Sequence, residues 1–315
     1  MIRWGINALN HGSSLAVFQG HNLIFNKVDN TDELDKDTVW RAFSNGGPSE
    51  IYWYERPWVK KSRQAYAGQW NRVFDFKALP KNYLKTLNVN YAKVRYTPHH
   101  ASHAAAGYYT SPFNHCAIVV LDAIGEWDCA SIWEAKHGEM TKVWSRTYPN
   151  SLGLFYSAFT KTLGMTPILD EYKLQIMAAN GNPKRFYYRV KKYFDGILHI
   201  NYNFHKGVVD QKFYIESIED EWDLAAAVQL VFEEQVSLVM AAAKSITGAD
   251  CLVYMGGCAM NSNANKRVVE PKFDYIWSLP QPGDPSSSVG AVLYHTKQRL
   301  WDYNFGVVKH IEVRV

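Results

Sequence analysis

Three histidines fall within five positions in the stretch Thr97 to Phe113, TPHHASHAAAGYYTSPF, just ahead of a run of small residues. His99 and His103 are four apart. In a helix whose first turn holds Pro98, that spacing sets both imidazoles on one face, close enough to share a metal ion, while His100 points elsewhere. Capping or packing a helix explains a lone pair of this kind equally well, so its meaning depends on the rest of the chain. Two further stretches carry polar groups in loops after strand-like runs: His11, Ser13 and Ser14 in LNHGSS, and Asp122, Gly125 and Glu126 around AIGEWD. Two such loops facing one another would grip a ligand between them. The apolar run CLVYM, Cys251 to Met255, leads straight into Gly256 and Gly257 and then a predicted helix, Met260 to Val269. A strand, a glycine pair and a helix N-terminus suit phosphate or nucleotide binding, because the missing Cβ atoms let backbone amides approach an anion. Asp284 sits on a tight loop in PQPGDPSSSVGAVLY, before a small-residue helix.

These residues need a scaffold, and the sequence supplies one twice. Ile2 to Asn7 reads as a strand, LNHGSS as a turn, and Leu15 to Phe18 with Leu23 to Val28 as a hairpin around Gly20 and His21. The same order recurs at Ala117 to Asp122, the loop AIGEWD, Cys129 to Glu134, the turn KHGE and Met140 to Thr147, which predicts a structural duplication. VNYAKVRY reads as a further strand. Helical spacing appears in Ser151 to Leu163, with Ser151 as the cap, in Glu171 to Ala179, and over the long stretch Asp220 to Thr247. Thr31 to Phe76 is rich in aromatics, and Trp40, Tyr52, Trp53, Tyr54, Trp58, Tyr66 and Trp70 are expected to be mostly core. The basic and aromatic segment KRFYYRVKKY, Lys184 to Tyr193, reads as the solvated face of a helix or else as a patch for an anionic substrate or partner.

At 315 residues and 47% hydrophobic composition the chain fills a sizeable core. No uninterrupted apolar run approaches the ~20 residues of a membrane span, and Met1 to Asn10 lacks the pattern of a signal peptide, so a cytoplasmic protein without a membrane partner is expected. Cys116, Cys129, Cys251 and Cys258 form no CxxC pair and read as reduced and buried. A net charge of +4 tolerates anionic ligands but is far from the footprint of a dedicated nucleic-acid binder.

Seven segments in order, NHGSSLAVFQG, HHASHAAAGYYTSPF, LDAIGEWDCASIW, NSLGLFYSAFT, EYKLQIMAANG, MGGCAMNSNAN and PQPGDPSSSVGAVLY, together resemble the NodU/CmcH family of O-carbamoyltransferases. The resemblance implies an α/β, duplicated actin-like (ASKHA) fold, related to threonylcarbamoyltransferases, with two mixed-sheet lobes around a ligand cleft. The whole chain, 1–315, would be one such domain, with lobes near 1–114 and 115–315. It further implies that His99, His103 and Asp284 bind a divalent metal, iron or zinc, with Asp122 at the metal and donor site. His11 matches the family's catalytic histidine. Ser151, Gly153, Gly256, Gly257 and Asn261 match segments that hold carbamoyl adenylate, the donor made from carbamoyl phosphate and ATP. The acceptor would be a small molecule or nucleotide with a hydroxyl group.

Several positions depart from the family pattern. Gly12 stands where the family has Asp, and Ala123 follows Asp122 where the family has Gly. The family's arginine-rich stretch is KVDNTDELDK, which leaves Lys36 as a doubtful donor contact, and its MGLA reads Gln175-Ile176-Met177-Ala178. Family members also carry a YrdC-like domain that makes the adenylate. The sequence shows no match to it, so a separate YrdC-like subunit is expected as partner. Glu126 and Lys173 are read either as orienting the loops or as a buried ion pair. Two other functions compete: a catalytically silent actin-like subunit that binds a nucleotide, which the retained histidines and aspartates argue against, and a threonylcarbamoyl-type tRNA-modifying enzyme, which the HHASH and SPF pattern fits less well.

Overall fold

The computed structural model describes residues 1–89, 93–208 and 213–300. Among these residues, ten strands form two five-stranded sheets. The first contains β1 (Ile2–Asn7), β2 (Ser13–Gln19), β3 (Asn22–Asp29), β4 (Glu50–Trp53) and β5 (Val94–Tyr96), in the order β3-β2-β1-β4-β5. The second contains β6 (His115–Gly125), β7 (Asp128–Lys136), β8 (Glu139–Thr147), β9 (Cys251–Met255) and β10 (Tyr275–Trp277), in the order β8-β7-β6-β9-β10. In each sheet the first strand is central, pairing antiparallel with the next strand and parallel with the fourth. The duplication read from two hairpins therefore extends to all five strands of each sheet.

Period-two alternation along β6 explains how one strand serves two cores. Ile118 and Val120 face the layer between the sheets, with Trp4, Ile6, Val253 and Met255. Ala117, Val119 and Leu121 face the other way, onto Phe155, Phe159, Val228 and Phe232. Two helices fill the layer between the sheets: His99–Thr110, buried along its whole length, and Ser287–Thr296. They touch backbone to backbone, since a Cβ at Gly290 would lie 1.8 Å from the Ser102 carbonyl oxygen. The small residues of both stretches are thus a packing requirement, and the close approach fixes His99 and His103 beside Asp284.

The Leu152–Thr162 helix is capped by Ser151, whose Oγ accepts from the Leu154 N–H. The longest helix, Ile218–Thr247, is capped by Ser217 and ends at Gly248 in the left-handed conformation. By length and composition it could cross a bilayer, contrary to the expectation from uninterrupted runs, but most of its apolar window is buried as the central helix of the second core.

Four local readings change. Most of AIGEWD is strand: β6 runs on to Gly125 through an irregular stretch after Leu121, and the turn is Glu126, at φ +62°, with Trp127. Met260 to Val269 is no single helix; a 3-10 turn (Gly257–Met260), one α turn (Ser262–Ala264) and a π turn (Asn265–Val269) follow one another. Of the seven aromatics expected in the core, Tyr52, Trp53 and Tyr54 are buried but Trp40, Trp58, Tyr66 and Trp70 are exposed, because strand β4 and the residue that follows it run through the core while the helices carry the others on their outer faces. KRFYYRVKKY is core on one side, with Phe186, Val190 and Tyr193 inward. In VNYAKVRY, β5 covers Val94–Tyr96 and residues 90–92 lie outside the described residues. All four cysteines are free; Cys116, Cys129 and Cys258 are buried and Cys251 half-buried.

Candidate metal centre and cleft

His99 opens the buried helix and His103 follows one turn later, so their Nε2 atoms face each other at 3.0 Å. Asp122, at the bulged end of β6, brings Oδ2 to 3.3 Å from His99 Nε2 and 3.7 Å from His103 Nε2. Asp284 opens a 3-10 turn and places Oδ1 at 3.1 and 3.3 Å from the same nitrogens. One ligand atom from each of the four lies within 4.8 Å of all the others. The second oxygen of each carboxylate is held by a neutral donor: Asn10 Nδ2 donates to Asp284 Oδ2 at 2.8 Å, and the Gly257 N–H to Asp122 Oδ1 at 3.3 Å. These donors leave Oδ2 of Asp122 and Oδ1 of Asp284 turned toward the imidazoles.

The electrostatics of this cluster call for positive charge. Burial by itself would raise both carboxyls, yet the two imidazoles beside them hold Asp122 and Asp284 well below the usual carboxylate range. Burial would likewise lower His99 and His103, and the two carboxylates instead push both up. Two carboxylates buried together are stabilised by whatever cation sits between them. Two imidazole nitrogens and two carboxylate oxygens converging on one point form a mixed N/O donor set that fits a divalent transition metal. His100, in contrast, bonds Ser131 Oγ through Nδ1 at 2.8 Å and is held low by burial first and by neighbouring His99.

The remaining candidates surround this centre in two groups. On the second-lobe side, Gly256 has φ +92°, and a Cβ there would lie 2.2 Å from the Leu121 carbonyl oxygen. Its N–H donates to the Pro282 carbonyl, which ties the glycine loop to the loop of Asp284. Ser151 Oγ donates to the Ala123 carbonyl, and a Cβ on Gly153 would lie 2.8 Å from Ala123 Cα. Ser151, Gly153, Gly256 and Gly257 therefore all abut the Leu121 to Ala123 strand end that presents Asp122. Asn261 is buried, its carboxamide engaged by Gln229 and by the Ala264 N–H. A groove of about 440 Å³ opens beside it, lined by Tyr172, Gln175, Ile176, Met260, Ser262 and Asn263 among others.

On the first-lobe side, His11 is exposed on the β1–β2 loop and lines a cavity of about 250 Å³ with Asn10 and Glu55. Lys36 is exposed at the start of the Lys36–Ser44 helix. Glu126 and Lys173 do not pair: Lys173 reaches Asp170 at 2.8 Å on the surface, and Glu126 is held across the lobes by Arg56. The Arg56 backbone N–H donates to Glu126 Oε1 at 2.6 Å and its Nε to Oε2 at 3.0 Å. Further bridges join the same elements, Arg63 Nε to the Glu126 carbonyl and Trp127 Nε1 to Ser62 Oγ. The Pro57–Tyr66 helix thus fastens the first lobe to the β6–β7 turn of the second. Arg56 was legible only as the residue before a proline that starts a helix; its partner, 70 positions away, carried no local signal.

A protein-family model described as carbamoyltransferase N-terminus matches residues 49–293. The uncharacterized protein sll1178 of Synechocystis sp. is 34% identical over 219 residues, 63% of this chain and 36% of that protein. Nodulation protein NolO of Bradyrhizobium diazoefficiens is 24% identical over 205 residues, 62% of this chain and 37% of NolO. The chain thus covers a little over a third of the length of either relative. Among solved structures, component A of the (R)-2-hydroxyglutaryl-CoA dehydratase of Acidaminococcus fermentans matches with a TM-score of 0.50 at 10% identity, over 94% of this chain and 99% of that one. That likeness shows the fold alone, the duplicated actin-like one.

Proposed function

The chain belongs to the family of carbamoyltransferase N-terminal domains, and on that premise we propose that it moves a carbamoyl group from carbamoyl adenylate to a hydroxyl of a small molecule or nucleotide. The observation that carries this reading is the convergence of His99, His103, Asp122 and Asp284 between two polar loops, with an open groove on one side and a cavity holding His11 on the other. The groove suits the nucleoside of the donor, since Tyr172, Ile176 and Met260 are exposed apolar surfaces and Gln175 and Asn263 add amides. The Gly256 and Gly257 N–H groups are engaged by the Pro282 carbonyl and by Asp122, so in this reading the glycine pair serves by holding the Asp122 and Asp284 loops together, and its missing Cβ atoms leave room for the donor beside the cluster.

In this reading His11 accepts the proton of the acceptor hydroxyl as its oxygen bonds to the carbamoyl carbon. The bond from that carbon to the phosphate oxygen breaks, and the electron pair leaves with adenosine monophosphate. A divalent ion, iron or zinc, held by His99, His103, Asp122 and Asp284 would supply positive charge to offset that of the donor phosphate and the carbamoyl oxygen. Asn10 and the Gly257 N–H keep the two aspartates aimed. The Arg56–Glu126 bridge closes one side of the cleft and helps to exclude water, which would otherwise hydrolyse the mixed anhydride. A cytoplasmic setting goes with an ATP-derived donor and belongs to the same proposal, as does a YrdC-like activity that supplies the adenylate.

The test gives the purified chain synthetic carbamoyl adenylate and a panel of hydroxyl acceptors, with mass spectrometry for a CONH2 group in place of hydrogen. Supplying the donor directly makes the result independent of what produces it. Transfer by the wild type is expected, with a loss of about 10²- to 10⁴-fold in turnover for His11→Ala and donor binding retained. No transfer to any acceptor, or parallel loss of donor binding in the variant, would refute the assignment.

A further inference from the structure

The two imidazoles of the cluster differ on the side away from the converging ligand atoms. Each ligates through Nε2 in the reading above, and a neutral imidazole that ligates through one nitrogen carries its proton on the other. Both Nδ1–H groups are then buried donors that need acceptors. His103 Nδ1 has the Ser287 hydroxyl at 3.5 Å. His99 Nδ1 has no hydrogen-bond partner among the described residues, and what faces it is a carboxylate oxygen, Glu55 Oε2, at 4.0 Å.

Glu55 sits between β4 and the Pro57–Tyr66 helix and is only 5% exposed. Its backbone is pinned on both sides, since the Tyr54 N–H donates to the Ile6 carbonyl and the Arg56 N–H to Glu126 Oε1. Lys60 Nζ holds Oε1 at 2.8 Å, which leaves Oε2 on the side of the imidazole. A carboxylate kept this deep needs further donors. One at hand is His99 Nδ1–H. Another is the Tyr54 hydroxyl, which is also buried without a hydrogen-bond partner among the described residues, feels the Glu55 charge, and belongs to a ring 5.2 Å from that of His99.

The separation of 4.0 Å is about 1 Å longer than a charge-assisted N–H···O bond, and a small turn of either side chain closes it. Charge favours the same arrangement. A divalent ion and the Lys60 ammonium together match the negative charges of Asp122, Asp284 and Glu55, so the third carboxylate leaves no excess. A carboxylate on the outer nitrogen of a ligating histidine fixes the tautomer and the ring, and makes the ligating nitrogen a stronger donor. Resting on the metal reading of this cluster, we propose that Glu55 is the positioning residue of His99: its Oε2 accepts the Nδ1–H while Nε2 ligates, and Lys60 braces the carboxylate. Because Glu55 directly precedes Arg56, the bridge that fastens the lobes also sets where this carboxylate stands.

Zinc binding to the purified, chelator-stripped chain tests this without donor or turnover, by competition with a chromophoric chelator. Glu55→Ala is expected to bind zinc about 10- to 100-fold more weakly than the wild type. Lys60→Ala keeps the acceptor and should stay nearest the wild type. Proton NMR of the zinc-loaded protein adds a readout that a merely structural role would not move, since an imidazole N–H bonded to a carboxylate resonates far downfield. That signal should be present in the wild type and in Lys60→Ala, and absent in Glu55→Ala. The neutral Glu55→Gln, a milder change for folding, still offers a carbonyl oxygen; it is expected to weaken zinc less and to move the signal upfield. Urea midpoints report that the variants are folded. The inference is overturned if Glu55→Ala binds zinc as the wild type does, if Lys60→Ala loses as much as Glu55→Ala, or if the downfield signal stays unshifted in either Glu55 variant. Each of these outcomes leaves the metal reading standing, whereas a wild type that binds no zinc overturns that reading and this inference together.

Discussion

Arg56→Ala should both destabilise the chain and loosen the cleft, and the size of the effect follows from the exposure of the two partners. The Glu126 side chain is 3% exposed and that of Arg56 46%. Removing one partner of a fully buried ion pair costs about 3–5 kcal/mol, because the other charge is left unpaired. Here the arginine is nearly half in water, which screens the attraction, and the backbone N–H of residue 56 still reaches Oε1 at 2.6 Å. Both considerations bring the expected loss to about 2 kcal/mol. Urea denaturation of the wild type, Arg56→Ala, Glu126→Gln and the double variant would close a double-mutant cycle, with the slope on urea checked for constancy. A coupling energy of about 1.5 kcal/mol is expected. Under about 0.5 kcal/mol, the scatter of independent sites, Arg56 and Glu126 would be neighbours with no energetic link and the inter-lobe fastening would rest on the Ser62–Trp127 and Arg63 contacts alone. The donor KM of Arg56→Ala should also rise relative to the wild type if the bridge holds the cleft closed on its ligand.

The wild type is expected to carry about one divalent metal ion and His103→Ala to lose most of it, measured by elemental analysis of both proteins after identical purification; equal metal in the two would remove His103 from the ligand set. Gly290→Ala tests the packing that sets the centre, because its Cβ would sit 1.8 Å from the Ser102 carbonyl oxygen and neither backbone can yield cheaply. A loss at or above the upper end of the about 1–3 kcal/mol typical of overpacking is expected, read from the urea midpoint, and an unchanged midpoint would mean that the two helices can part without cost.

The sequence by itself determined the parts that depend on local periodicity. The i, i+4 spacing of His99 and His103, the apolar run from Ala117 to Leu121 that reads as a strand, the Ser151 cap and the long helix through Val228 and Val239 are each written within a few residues of where they act. The duplication was legible as a repeated strand order, for the same reason. What required the tertiary structure was every contact whose partners are far apart in the chain. Asn10 meets Asp284 and Arg56 meets Glu126 only because two lobes close on each other, and the cavity of His11 gathers residues from Leu9 to Ala78 only because the first lobe folds back on itself. Exposure of Trp40, Trp58, Tyr66 and Trp70 was likewise decided by which faces of short helices the neighbouring elements cover, which residue type cannot report. The glycines carry the same division: Gly256 and Gly257 were recognisable as a place where backbone can approach something, and the fold shows that the end of β6, carrying Asp122, is one of the things that approaches.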